Sequence, residues 1–126
     1  MNRYTALGMI SDAAAGARVL YVGVGRTECR AAFSELRYVL DAMPTADDST
    51  IRLTNGQERV SFNSTGGQIR FLSTRQVLSG RVRGTLLDAV VVPFWDRLSD
   101  AEKEDLIREV GPAAATRERG LELIRP

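Results

Sequence analysis

The sequence predicts an α/β fold on three observations. Two short runs, Arg18–Val24 (RVLYVGV) and Leu86–Val92 (LLDAVVV), are apolar almost without interruption, as central strands covered on both faces are. Segments with helical spacing flank the first run. Between residues 51 and 71 the pattern changes to apolar–polar alternation, the mark of half-buried strands. Strands interleaved with helices imply packed layers, so the expected architecture is a three-layer α/β domain with a small parallel core and an antiparallel hairpin extension. A length of 126 residues supplies one domain and one core, so residues 1–126 are read as a single domain.

Each element has its own signal. Tyr4 to Ala15 is expected as a short helix, with Leu7, Ile10 and Ala14 on one face and Gly16 as its stop. After the first strand Thr27 can cap a second helix, along which Cys29, Phe33, Leu36 and Leu40 recur at helical spacing. Pro44 and the polar stretch Ala46–Ser49 then break the chain. Ile51 with Leu53, Val60 with Phe62, and Ile69 with Phe71 define a three-stranded antiparallel meander. Asn55-Gly56 is a two-residue hairpin signal, and Gly66-Gly67 supplies the second turn. Alternation places Arg52, Arg59 and Arg70 together on the polar face of this meander. Residues 76–85, with Ser79-Gly80-Arg81-Val82-Arg83-Gly84, read as a flexible basic loop. Pro93 halts the second apolar strand, and Ser99 with Glu102 forms a capping box that opens a helix to about Val110. Its expected core contacts are Leu106, Ile107 and Val110, and Gly111-Pro112 ends it. Leu121 to Ile124 is a candidate last strand at a sheet edge.

Composition excludes much of the usual chemistry. There is no histidine, which removes the Ser-His-Asp triad, imidazole acid–base catalysis and histidine-zinc sites. Cys29 is the only cysteine, so no intrachain disulfide or thiolate cluster can form, in keeping with a reducing, cytoplasmic setting. No apolar run has the length of a membrane span. Neither a metal nor a cofactor is expected. The net charge of +1 is unevenly spread: residues 51–85 hold six arginines against Glu58 alone, and residues 86–110 hold seven acids against three basic residues. Sixteen of the seventeen basic residues are arginine. A GC-rich coding sequence accounts for that bias, as does a surface that meets phosphate through planar bidentate donors.

Several local features have both a chemical and a structural reading. Gly23-Val24-Gly25-Arg26 joins strand to helix and can hold an anion at the helix start, or can be a tight turn. It lacks the third glycine of a dinucleotide fingerprint. Cys29 lies near that helix start but on its apolar stripe, which makes it a core thiol. The acids of residues 100–109 point in different directions around one helix, as a solvated face does, and Asp47-Asp48 reads as a turn or cap. Phe94-Trp95, two large aromatics after Pro93, either plug a hollow in the fold or anchor a protein partner.

The element order resembles the ATPase core of phage large terminases and RecA-like helicases. Asn2-Arg3-Tyr4-Thr5-Ala6-Leu7 looks like the end of that family's phosphate-binding loop, with Thr5 near its Ser/Thr. Gly16–Gly23 resembles the strand after the first helix. Gly67–Ser73, Arg83-Gly84 and Asp88–Val92 resemble the approach to the Walker B strand. The resemblance implies a P-loop-NTPase-like partial domain, but the family's motifs are not intact. The chain starts where the phosphate loop would be finishing, and no Gly-x-x-x-x-Gly-Lys-Ser/Thr occurs in it. The family's Asp-Glu pair aligns with Pro93-Phe94, which can neither hold magnesium nor orient water. Asp96 is the nearest carboxylate that could be a displaced substitute.

The resulting expectation is a degenerate relative that is not an enzyme: a phage or prophage-type accessory protein. It would bind nucleic acid through Arg52, Arg59, Arg70, Arg75, Arg81 and Arg83. The alternative is a protein-interaction module, a homo-oligomer or a binder of another protein, using an open sheet edge and the Phe94-Trp95 patch. A third reading is nucleotide binding without hydrolysis.

Overall fold

A computed structural model of the chain describes residues 1–54, 56–114 and 122–124. Helix α1 (Arg3–Ala14) leads into strand β1 (Arg18–Gly23), helix α2 (Arg26–Asp41), and then β2 (Ser49–Arg52), β3 (Arg59–Phe62) and β4 (Gln68–Ser73). A short helix α3 (Thr74–Leu78), strand β5 (Ala89–Val91), helix α4 (Asp100–Val110) and strand β6 (Glu122–Ile124) complete the order. The six strands form one sheet in the order β2-β3-β4-β1-β5-β6. β4, β1, β5 and β6 run parallel, while β2, β3 and β4 are antiparallel neighbours. The α/β class, the parallel core and the hairpin extension are therefore present.

Strand alternation sorts the core into two clusters. Val19, Tyr21, Val60, Phe62, Ile69 and Phe71 face one way and pack with Ile10, Ala13, Leu36 and Leu40 of α1 and α2. Phe33 meets the Phe71 ring edge-on, with centroids 5.4 Å apart. Leu20, Val22, Leu72, Val90 and Val92 face the other way and pack with Val77, Leu106 and Val110 of α3 and α4. Helices thus cover both faces of the sheet. The turn before β4 lies hard against the end of α1: a Cβ on Gly67 would collide with the Ala13 carbonyl, so the close approach requires glycine.

Some local expectations are corrected. Helix α2 begins at Arg26, with extended Gly25 as its N-cap and no side-chain cap, so Thr27 is already helical. The Glu28 carboxylate accepts instead from the Val24 N–H at 2.8 Å. The first hairpin is wider than two residues, because pairing stops at Arg52 and resumes at Arg59. Asn55 lies outside the described residues, and Leu53 falls beyond β2 and is 63% exposed. The stretch expected as a flexible loop starts with α3, whose capping box joins Ser73 and Gln76, and buries Val82 completely. Strand β5 is shorter than its apolar run, and Leu86 is partly exposed. Helix α4 has the expected Ser99–Glu102 box, but only Leu106 and Val110 face the core, while Ile107 turns to solvent. Of the last expected strand, Leu121 lies outside the described residues, and Glu122–Ile124 pair with β5.

Candidate nucleic-acid interface

The arginines of the meander come together through strand register. Arg52 pairs with Arg59 across β2 and β3, and Arg59 pairs with Arg70 across β3 and β4. Directly opposed residues in neighbouring strands stand roughly 5 Å apart, so these three form a row of like charge across the sheet. The adjacent row on the same face is polar: Thr50, Ser61, Gln68 and Arg18 follow one another across β2, β3, β4 and β1. This is the face that α3 and α4 cover farther along β4 and β1, at Leu72, Leu20 and Val22. The helices stop short of the meander, leaving Arg52 exposed and Arg59 and Arg70 partly buried.

A concavity of about 400 Å³ sits over the row, lined by Arg52, Arg59, Arg70 and Arg81, with Leu72 and Thr85 in its walls. Arg81 reaches it from the turn after α3. A second hollow adjoins it, sharing Gln68, Arg70 and Thr85 and adding Arg18. Among the described residues no carboxylate forms an ion pair with any of these arginines. Glu58 is the acid nearest in sequence and contributes to the lining, but it is buried at 6% exposure. Alternation aims it with Val60 and Phe62 toward the α2 side, where its charge acts on the Cys29 thiol. The pKa of Arg70 is lowered, first by burial and then by the charges of Arg59 and Arg81. The Arg59 Nε is buried without a hydrogen-bond partner. A buried donor left unsatisfied costs free energy.

The other candidate residues lie elsewhere. Arg83 is held by the Glu109 carboxylate of α4, with Nη2 to Oε1 at 3.1 Å. Arg75 is exposed on α3 and does not line the concavity. Phe94 and Trp95 are 8% and 6% exposed and belong to the second core cluster with Leu106 and Val110. They fill the fold at that edge, and neither presents a ring to solvent as an anchor would. The Lys103 ammonium lies 5.7 Å from the Trp95 ring centre. The Gly23–Arg26 segment is a tight turn, since a Cβ on Gly23 would lie 2.6 Å from the Cys29 sulfur. Cys29 is a core thiol, pushed up to about 11 chiefly by burial. Asp48 caps the β3–β4 turn, accepting from the Ser64 N–H and hydroxyl. Among the described residues no group of three metal-binding side chains occurs, and no helix is long and apolar enough to cross a membrane.

Arg18 and Gln68 were not singled out by the sequence. Arg18 opens an apolar strand, and only the parallel pairing of β1 with β4 brings it to the arginine face.

These features define the chain first by class: a mixed α/β sheet with helices on both faces and an arginine-lined hollow on its antiparallel extension. A solved structure similar to it is the large terminase of a thermophilic bacteriophage, in complex with ADP. The TM-score is 0.52 and the identity 11%, covering 86% of this chain and 25% of that one. The likeness is one of fold, and this chain spans a quarter of the terminase's length. No family model matches the sequence, and no curated protein matches it.

Proposed function

We propose that this chain is a non-catalytic, phage-type accessory protein with a terminase-like fold that binds nucleic acid through Arg52, Arg59, Arg70 and Arg81. The observation that carries the reading is the convergence of these four arginines on one hollow, where among the described residues none is ion-paired and Glu58 is the one acid in the lining. Arg18 extends the surface, while Arg83 is taken up by Glu109 and Arg75 lies off the hollow. Among the described residues no aromatic side chain lines either hollow, which favours contact with phosphate over base stacking. The absence of catalysis rests on sequence: the phosphate-loop motif does not occur, and Pro93-Phe94 follow β5 where the family carries acids.

Fluorescence anisotropy of a labelled duplex across a salt series tests the reading. Tight binding at low salt that weakens along a straight log–log line supports it, and no binding at low salt refutes it. A protein-interaction role has one observation in its favour, the position of β2 as the outer strand of the antiparallel side. It predicts oligomers by light scattering in the absence of DNA.

A further inference from the structure

We infer that the hollow over the arginine row is a seat for a terminal phosphate, the doubly charged phosphomonoester at the end of a nucleic-acid strand, in preference to phosphodiesters within it. The inference rests on the nucleic-acid reading and adds the chemical group that the site selects.

Charge density is the first argument. Arg52, Arg59 and Arg70 stand in consecutive cross-strand register, and Arg81 lines the same hollow, so four cations share a space of about 400 Å³. A phosphodiester brings one charge and two free oxygens. A phosphomonoester brings close to two charges and three acceptor oxygens, and it engages the forked donors of several guanidiniums at once. The mutual repulsion of Arg59, Arg70 and Arg81 is relieved more by the second charge than by the first.

Shape is the second argument. Arg59 and Arg70 are partly buried, and Leu72 and Thr85 line the hollow beside them. A phosphate at a chain end enters such a hollow with one nucleotide behind it. A phosphate within a strand must bring nucleotides in on both sides. A half-open hollow of this volume has room for the first arrangement more readily than for the second.

The hollow is also not where open α/β sheets usually hold ligands. Those crevices lie beyond the carboxyl ends of the parallel strands, which here are marked by Gly23 and Val91. Arg18 and Gln68 open β1 and β4 at the opposite ends.

The test compares one duplex, 3′-labelled, carrying either 5′-phosphate or 5′-hydroxyl ends, with inorganic pyrophosphate as a free competitor. We expect the phosphorylated duplex to bind about tenfold tighter, the worth of one strong charge-assisted contact. Arg81→Ala, on an exposed turn, should abolish that preference without unfolding the protein. Arg59→Lys, which keeps the charge but loses the fork, should reduce that preference as well. Equal affinity for both ends with a steep common salt slope overturns the terminal-phosphate seat and leaves the nucleic-acid reading standing. Failure to bind either duplex, with thermal stabilisation by pyrophosphate, overturns the nucleic-acid source and supports a seat for free phosphate. No response to any of the three probes overturns both readings.

Discussion

Arg59 stands between Arg52 and Arg70 in cross-strand register, so replacing it with threonine removes two like-charge contacts at once. Each opposed pair of like charges on a sheet costs about 0.2–1 kcal/mol, and because Arg52 is solvated the lower half of that range applies to its pair. Relief of both comes to about 1 kcal/mol. The substitution also removes the buried Arg59 Nε that has no partner, a gain of about 1 kcal/mol. The lost packing of the arginine stem against its neighbours offsets roughly that second amount. Threonine is a good strand former, so the net expectation is stabilisation by about 1 kcal/mol, or about 3–5 °C in Tm for a domain of this size. Urea melts at low salt measure it, and the m-value should not change. At high salt the gain should shrink, because screening already weakens the repulsion in the parent. The same variant should bind duplex DNA about tenfold more weakly at low salt, so stability and binding move in opposite directions. Destabilisation at low salt, or a gain that salt does not diminish, would refute the view that this row is a strained cationic surface kept for a ligand.

Four arginines on phosphate predict a log–log salt slope of about −3 to −4 for duplex binding, and Arg81→Ala should make it shallower by about one. Arg83→Ala should leave both slope and affinity unchanged, because that guanidinium is occupied by Glu109. Gly67→Ala places a methyl group against the Ala13 carbonyl, so we expect loss of several kcal/mol and little folded protein, read by circular dichroism and the yield of soluble protein. Cys29 titrates near 9 in an unfolded chain and near 11 in the fold, so the folded state holds its proton more tightly. That contribution is complete below about pH 9 and is lost as pH rises from there through 11, and Cys29→Ala should flatten the alkaline fall of stability over that window. The folded protein should also resist thiol alkylation at pH 8, reacting only when urea opens the core.

Local periodicity carried most of the architecture. Continuous apolar runs announced β1 and β5 because strands covered on both faces need no polar side, and alternation announced β2, β3 and β4 because one of their faces meets solvent. The same alternation put Arg52, Arg59 and Arg70 on one face. Sequence spacing alone could not set their register, which depends on the turns that join the strands. The missed helix α3 is a case of short-range chemistry overlooked: Ser73 and Gln76 have capping-box spacing, but five residues are too few to show a period. Ile107 was misassigned because α4 buries a narrow stripe, and which apolar residues lie on it depends on the sheet beneath.

The sequence by itself determined the class of fold, the order of its elements, the crowding of arginine into the middle third and the exclusion of histidine chemistry and thiolate clusters. Only the tertiary structure decided which arginines lie together. Parallel pairing of β1 with β4 placed Arg18 beside the row, the turn after α3 brought Arg81 to the same hollow, and the packing of α4 paired Arg83 with Glu109. It also decided that Phe94 and Trp95 lie inside. The reason is the same in each case. A side chain's exposure is set by what packs over it from distant parts of the chain, and local spacing contains no record of that.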